Sequence, residues 1–553
     1  MPQVSCEKAP NGASSSSPFL PSTSLKDSQV HKSYGVFESS DSGTQDSFDS
    51  CHTKSCSRPF SDSVADYSDA PQHPDYATSD SARLVQTKHQ PSRSYRNEVI
   101  SSVLCCFSNV AHGLAYGLAS PATPTLISEG KLTPAQAPLF ESLLTIGALV
   151  GGIAVGFLVG ALGRKGTLLL AAAPFLLGWV CLAVTETYIV LYVGRLLTGI
   201  GYGLVAVVSP LYIVETVSKE IRGALTMGVT LASTSGILLQ FCMGLVLDTR
   251  WLSIVSMTPL VIMVAGMIFM PESPRWLMMK GKYDAALEAL TWLRRGTAEQ
   301  VLEEFKEIAG NVENAEYSGV CSKCKSYSRK EVLTAVKSIS ICCILFAFQQ
   351  LSGTTPIIFN AQDIFYAVGF TSSAMSSGQI PAIILAAVKM VTTIGGIFLV
   401  DRLGRRPLFI GCGLAMGVTC IITGLYFAYQ SYLISNYAWL PLLALVLYEA
   451  AFSIAWGGIP WLLLSEIPPA NVRGIASVAG STATRISAFI VTQGYSSIVE
   501  AINMSGTFWL FGSISIAGSL FAWKFMPETK HKSLECIEHE LNVSVPVRTH
   551  SVL

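Results

Sequence analysis

The hydrophobic positions of this chain are gathered into long, nearly uninterrupted runs, and short polar stretches separate them. A helix that crosses a lipid bilayer needs roughly 20 mostly apolar residues, and twelve runs of that order can be marked. They cover approximately residues 98–119, 139–161, 167–185, 188–213, 223–245, 251–270, 338–366, 377–400, 408–430, 438–465, 475–498 and 505–526. The pattern therefore predicts an all-α membrane protein with twelve transmembrane helices.

The runs form two groups of six around a polar segment, which predicts two six-helix halves. The predicted parts are a cytoplasmic tail at 1–95, an N-terminal bundle at 96–270, a cytoplasmic helical loop at 271–337, a C-terminal bundle at 338–527 and a cytoplasmic tail at 528–553. The first tail is rich in Ser, Asp, Pro and Gln without apolar periodicity, so we expect it to be disordered. In the loop, the amphipathic residues 283–293 predict a short helix.

Composition supports a membrane protein, because 50% of the residues are hydrophobic and only 13% are charged. We expect a small-molecule solute and the bilayer as partners, and no nucleic acid; the oligomeric state stays open. Among fourteen cysteines, Cys321 and Cys324 have the spacing of half a zinc site, but a structural zinc needs four ligands. We therefore predict reduced thiols, no metal and no cofactor. Because no nucleophile constellation or phosphate-binding loop is visible, we predict that the chain is not an enzyme.

Basic residues follow the even-numbered runs, and cytoplasmic loops keep an excess of Lys and Arg. Outside the long central loop and the two tails, the basic residues that follow even-numbered runs are Arg164, Lys165, Lys219, Arg222, Arg402, Arg405, Arg406 and Arg473, whereas the odd-numbered loops hold only Lys131 and Arg250 beside several acids. This distribution predicts that both chain ends are cytoplasmic. We expect a multi-pass protein of the plasma membrane in preference to an internal membrane.

Three landmarks recur in the same order in the two groups of runs. Gly163-Arg164-Lys165 matches Gly404-Arg405-Arg406, the segment from Glu215 to Arg222-Gly223 matches that from Glu466 to Arg473-Gly474, and Pro271-Glu272-Ser273 matches Pro527-Glu528-Thr529. The positive-inside rule explains the bases but not the paired glutamates. A duplicated six-helix unit explains both, and such halves rock against each other to move a solute.

These motifs are similar to those of the sugar porters of the major facilitator superfamily. The segments that carry the resemblance are GRLLTG at 194–199, PLYIVE at 210–215, PESPRWL at 271–277, QQLSG at 349–353, DRLGRR at 401–406 and PETKHKSLE at 527–535. The segment WGGIPWLLLSE at 456–466 resembles the animal branch that holds facilitative glucose and insect trehalose transporters. The resemblance implies the major facilitator fold and sugar transport by alternating access, with facilitated diffusion as the default.

The basic and acidic motif residues predict a conformational latch at the cytoplasmic ends of the helices. We expect Glu215 to pair with Arg164 and Arg222, and Glu466 with Arg405 and Arg473, when the inner ends pack together in the outward-facing state. Asp401-Arg402 belongs to the second latch, but Gly160-Ala161 stands at the matching place in the first half. We therefore hypothesise a less favoured outward-facing state, which the double substitution Gly160→Asp with Ala161→Arg should make more populated.

For the substrate cavity, the resemblance implies hexose-binding roles for Gln349, Gln350 and Trp461. For the two glutamines, hydrogen bonding between helices is the alternative. The family pattern changes at five further cavity positions, which here are Thr230, Thr355, Lys389, Thr484 and Arg485.

Lys389 and Arg485 are the unusual members of this set, because a cation at the centre of a membrane helix costs on the order of 2.5–3.5 kcal/mol. At roughly 1.5 Å per residue, both lie near mid-membrane height. They predict either a carrier of an anionic solute or a neutral-sugar cavity in which Glu449 pairs with one of the cations. A membrane sensor that moves no solute is a third possibility. Proton coupling would fall to His112, because Ala115 stands where symporters of the family carry an Asp.

Overall fold

A computed structural model describes residues 94–529 apart from 185–186, 296–297, 325–328, 370–377, 431–436 and 470–471. The side chains of 311, 313–331, 397 and 401 also lie outside the described part. Of the two predicted tails, only residues 94–95 and 528–529 are described. Every regular element in the described residues is a helix, so the predicted all-α architecture is confirmed.

The helices are numbered in chain order. They are α1 Arg96–Gly117, α2 Ala119–Ser128, α3 Ala137–Val184, α4 Tyr188–Thr216, α5 Arg222–Met243, α6 Thr249–Ser256, α7 Thr258–Met267, α8 Pro274–Met279, α9 Tyr283–Arg294, α10 Ala298–Cys324, α11 Arg329–Leu351, α12 Thr354–Phe359, α13 Ala361–Val368, α14 Gln379–Leu403, α15 Arg405–Ala428, α16 Trp439–Ala451, α17 Ile459–Glu466 and α18 Arg473–Phe525, with a π-helical segment at Phe452–Trp456.

Ten helical stretches of the described residues are long and apolar enough to cross a membrane. Two of them are too long for one crossing, since α3 has 48 residues and α18 has 53, whereas a crossing takes roughly 20. The backbone leaves the helical conformation inside each, at Gly163 (φ 82°) and at Asn503 (φ 60°). Both positions fall between two predicted runs. The count of twelve crossings and the division into six-helix halves stay predictions.

Some predicted runs are broken instead of continuous. The run at 338–366 is interrupted at Gly353, whose φ of +97° is in the left-handed region, and a Cβ there would lie 2.4 Å from the Phe511 ring. Only glycine accepts both conditions without strain. The run at 438–465 contains the π-helical segment Phe452–Trp456. Breaks of this kind free backbone carbonyls, and broken helices commonly form the binding sites of transporters.

Helices α8 to α10 form the segment that follows the first six runs. A helix is present at Tyr283–Arg294, where the amphipathic pattern predicts one. Arg294 is 3% exposed and joins this segment to the first bundle, because its Nη1 lies 3.1 Å from Glu98 Oε1. Its Nη2 lies 2.8 Å from Glu304 Oε1, so one buried guanidinium bridges two carboxylates.

Candidate functional site

A chain of hydrogen-bonded side chains runs through the middle of the bundle. Tyr116 Oη donates to Thr355 Oγ1 (3.0 Å), and Thr355 Oγ1 donates to Gln350 Oε1 (2.9 Å). Gln350 Nε2 in turn donates to Gln349 Oε1 (3.3 Å), and Gln349 Nε2 donates to the Trp456 carbonyl. Because Tyr116 lies in α1 and Thr355 in α12, this chain joins the two predicted halves at the predicted cavity.

Gln349 is occupied by the protein itself. It is 2% exposed, and its amide nitrogen donates to the carbonyls of Trp456 and Gly457 at the end of the π-helical segment. This is the helix-to-helix hydrogen bonding that was the alternative to sugar binding. Gln350 is only half-buried, so it is the member of the pair that a solute can reach more easily.

The other polar or aromatic candidates differ in accessibility. Trp461 is 41% exposed, and its ring meets Phe346 edge to face with centroids 4.7 Å apart. Thr230 is exposed on α5. Thr484 is buried, and its hydroxyl donates to the Gly480 carbonyl of its own helix at 2.8 Å. Trp461 and Thr230 therefore have exposed side chains, whereas the Thr484 hydroxyl is already satisfied.

Lys389 forms an ion pair inside the bundle. Its Nζ contacts Glu449 Oε1, and Glu449 is fully buried. The ammonium also lies 5.0 Å from the centroid of the Phe452 ring, close enough for a cation–π contact. The internal pairing that the sequence left as an alternative is therefore present, and it neutralises one of the two cavity cations.

Arg485 has different surroundings. Its guanidinium lies 4.8 Å from the centroid of the Tyr202 ring, and Nη1 donates to Tyr202 Oη at 3.3 Å. No ion pair in the described residues includes Arg485. The imidazole of His112 stacks on the same tyrosine, with centroids 3.7 Å apart and planes 12° from parallel. Tyr202 and His112 were not predicted together with Arg485, because aromatic stacking across helices has no sequence spacing.

The motif residues at the predicted cytoplasmic side form two clusters with the same arrangement of contacts. Glu272 Oε1 accepts from the backbone N–H groups of Arg164 (2.9 Å) and Lys165 (3.0 Å). Glu528 accepts from those of Arg405 (3.2 Å) and Arg406 (3.0 Å). A carboxylate at the start of a helix accepts hydrogen bonds from free N–H groups and interacts favourably with the positive end of the helix dipole.

A glycine stands before each of these helix starts, at Gly163 (φ +82°) and Gly404 (φ +94°). A Cβ at Gly163 would meet Glu272 Oε2 at 2.5 Å, and one at Gly404 would meet Glu528 Oε2 at 3.1 Å. The glycines therefore permit both the left-handed backbone and the close approach of the carboxylates. The sequence marked these glutamates as repeat landmarks but not as caps of the following helices.

Of the predicted latch contacts, two are present in this structure. Arg164 Nε lies 2.7 Å from Glu215 Oε2, and Arg405 Nη2 lies 3.2 Å from Glu466 Oε1. Arg222 instead donates to the Val217 carbonyl.

The remaining predicted latch residues are Arg473, Arg402 and Asp401. In the described part of the chain no ion pair joins Arg473 to Glu466, and Arg473 Nε is buried without a hydrogen-bond partner. Arg402 lies in the last turn of α14, and the Asp401 side chain lies outside the described residues. Each pair that is present connects helices of one predicted half.

Polar residues near the predicted outer ends of the helices connect the halves and were not singled out by the sequence. Ser142 Oγ donates to Gln493 Oε1 (2.6 Å), and Asn360 Nδ2 donates to Glu141 Oε2 (3.2 Å). Glu141 is only 3% exposed. A carboxylate within an apolar run was the available signal. We name these four residues the outer seam.

These features are those expected of a helical membrane transporter of the major facilitator class, with a polar chain at the predicted mid-membrane level and matched charge clusters at the predicted cytoplasmic side. The sugar (and other) transporter family matches residues 131–541. The chain belongs to this family, as its motifs predicted.

Similar proteins include two insect transporters. The facilitated trehalose transporter Tret1 of Bombyx mori is 36% identical over 431 residues, which are 78% of this chain and 84% of that protein. Tret1 of Culex quinquefasciatus is 33% identical over 451 residues, or 80% of this chain and 86% of that protein.

Similar solved structures include the xylose transporter XylE from E. coli. Its inward-open conformation has a TM-score of 0.67 at 25% identity and covers 79% of this chain and 98% of its own. The proton:xylose symporter XylE bound to 6-bromo-6-deoxy-D-glucose has a TM-score of 0.65 at 25% identity, covering 81% and 99%.

Proposed function

We propose that this protein moves a sugar across a membrane by alternating access of two six-helix halves, as facilitated diffusion. The observation that carries the proposal is the hydrogen-bonded chain from Tyr116 to Gln349, which joins the two predicted halves. Hydroxyl and amide groups at this height can exchange their mutual hydrogen bonds for those of sugar hydroxyls. The trehalose and xylose carried by the similar proteins are the solutes to test first.

The structure corresponds, in this proposal, to the inward-facing state. The outer seam holds the predicted outer ends together, since Ser142 meets Gln493 and Glu141 meets Asn360. Rocking to the outward-facing state would break these contacts while the cytoplasmic ends approach each other.

The cytoplasmic clusters would then have two parts with different roles. Arg164–Glu215 and Arg405–Glu466 are contacts within one half, so they hold helices of that half together in both states. Arg222 and Arg473 would supply the state-dependent contacts of the latch, since neither pairs with its motif glutamate here. When the inner ends close in the outward-facing state, these two arginines would reach their motif glutamates. That part of the latch hypothesis stays a prediction.

Uptake into proteoliposomes tests the carrier function. Wild-type protein should accumulate labelled trehalose or xylose up to, and not beyond, the external concentration. Gln350→Ala removes two hydrogen bonds of the cavity chain, so uptake at low sugar concentration should fall about tenfold. Gln430→Ala is the matched control, because its amide donates to the Ala367 carbonyl away from the cavity. A purified, folded protein that moves no sugar would instead support a sensor.

We further propose that both chain ends are cytoplasmic and that the protein works at the plasma membrane. The charge distribution of the loops supports the orientation. Epitope tags at residues 1 and 553 should be stained only after permeabilisation, whereas a tag in the loop after α2 should be stained on intact cells. Staining of the terminal tags on intact cells would reverse the orientation, and staining confined to internal vesicles would move the protein there.

A further inference from the structure

Arg485 carries a charge that no acidic side chain in the described part of the chain pairs with. Its partner across the cavity is a phenol, Tyr202, and it takes part in no ion pair among the described residues. The other cavity cation, Lys389, is balanced by Glu449. Among the described residues at the predicted cavity, one positive charge is therefore in excess, and it lies on the half-buried guanidinium of Arg485.

A second polar side chain at the same place, His112, has only one of its two ring nitrogens in a hydrogen bond. His112 Nδ1 is within 2.8 Å of Ser233 Oγ, whereas His112 Nε2 is buried and has no hydrogen-bond partner among the residues that the structure describes. His112 and Arg485 both contact the ring of Tyr202, which is 7% exposed. A buried nitrogen without a partner is costly, and here it lies beside an unbalanced cation.

Alternating access makes this arrangement informative. In the inward-facing state, water can solvate the half-buried guanidinium, but an occluded cavity excludes that water. An unpaired cation at mid-membrane is then strongly disfavoured, so a neutral solute would be occluded at a penalty. A solute that brings its own negative charge would remove the penalty, because a carboxylate accepts two parallel hydrogen bonds from a guanidinium.

We propose that Arg485, with His112 and Tyr202 beside it, binds the carboxylate of an acidic sugar. The inference rests on the proposed sugar transport and assigns the solute class of the same cavity. The hydroxyls of the solute face the chain around Gln350 and Thr355, and its carboxylate takes the free N–H groups of Arg485. Arg485 would thereby determine which sugars are carried.

The test compares two labelled solutes that differ only at C6, glucuronate and glucose, in proteoliposomes with a potassium gradient and valinomycin. Wild-type uptake of glucuronate should rise when the lumen is made positive, because the anion carries charge inward, while glucose uptake should not respond. Arg485→Gln should lower glucuronate uptake at least about tenfold and should raise glucose uptake, because the cation that penalises occlusion of a neutral solute is gone. Arg250→Gln removes an exposed arginine outside the cavity and is the matched control.

The outcomes separate the two proposals. Glucose uptake with no glucuronate uptake, or glucuronate uptake that Arg485→Gln leaves unchanged, would overturn the carboxylate site and leave sugar transport intact. Absence of uptake for both solutes, and also for trehalose and xylose, by folded wild-type protein would overturn sugar transport itself. If Arg485→Gln does not fold, Arg485→Lys keeps the charge without the planar fork. Competition of unlabelled glucuronate with glucose should then weaken severalfold in that variant, and undiminished competition would count against the site.

Discussion

Removing one partner of the Lys389–Glu449 ion pair should destabilise the protein more than removing both. Glu449 is fully buried, and the Lys389 side chain is 11% exposed. Glu449→Gln would leave the ammonium facing the Phe452 ring and a neutral amide, and Lys389→Met would leave a buried carboxylate without a cation. The double variant Lys389→Met with Glu449→Gln keeps the shape of both side chains and removes both charges.

The expected size follows from the burial of the pair. Breaking a buried ion pair on one side costs about 3–5 kcal/mol, and an unpaired Lys at the centre of a membrane helix costs on the order of 2.5–3.5 kcal/mol. The two estimates agree at about 3 kcal/mol. Replacing both charges of a buried pair is often neutral, so the double variant should lie within about 1 kcal/mol of the wild type. Because each single variant loses about 3 kcal/mol and the double variant at most about 1 kcal/mol, the coupling energy between the sites is about 5 kcal/mol.

Thermal unfolding of the purified protein, followed by tryptophan fluorescence, measures this difference. With an unfolding entropy on the order of 1 kcal/mol per degree for a chain of this size, each single variant should melt about 3 °C below the wild type and the double variant within about 1 °C. The pair Lys131–Glu129 is the control, because its side chains are 29% and 36% exposed, and its neutralisation should change little. The reasoning would be refuted if Glu449→Gln melted at the wild-type temperature, or if the double variant were no more stable than the less stable of the two single variants.

Three further changes test the other contacts. Glu272→Gln weakens the cap at the helix start of Arg164, and we expect about 1 kcal/mol of lost stability, read as a lower melting temperature; an unchanged value would deny the cap. Ser142→Ala removes a bond of the outer seam to Gln493, so the outward-facing fraction should rise severalfold, measured by labelling of an introduced outer cysteine with an impermeant thiol reagent; slower labelling would contradict this. Arg294→Met removes the cation that the buried Glu98 shares with the partly exposed Glu304, so proteolysis of the α8–α10 segment should become faster, and unchanged proteolysis would show that other contacts hold it.

Much of the fold could be predicted because its determinants are local. Apolar runs of the length of a crossing became helices, and the chain turns inside α3 at the Gly163 position that the basic motif marked. The breaks inside runs could not be predicted in this way. Gly353 is left-handed partly because the Phe511 ring, far along the chain, occupies the space of a Cβ. Contacts between distant segments of that kind are absent from a pattern of hydrophobic positions.

The site was predicted less completely, for a related reason. Helical rise alone placed Lys389, Arg485 and Glu449 in the same part of the membrane, and the structure contains the Lys389–Glu449 pair. The height of a residue in the membrane does not determine which helices are adjacent. The structure was therefore needed to show that Lys389, and not Arg485, pairs with Glu449. The occupation of the Gln349 amide by the Trp456 carbonyl also depends on a π-helical segment, and no spacing in the sequence marks it.

The position of the cross-half contacts bears on how solute binding could be linked to movement. Arg164–Glu215 and Arg405–Glu466 lie within single halves, and a contact that is the same in two states does not shift the balance between them. Arg485–Tyr202, in contrast, joins α18 to α4 at the level of the cavity. A carboxylate that takes over the guanidinium would weaken this bridge in the same step that fills the cavity. Binding would then release a contact between the halves, which is what a carrier requires if the loaded form is to rock.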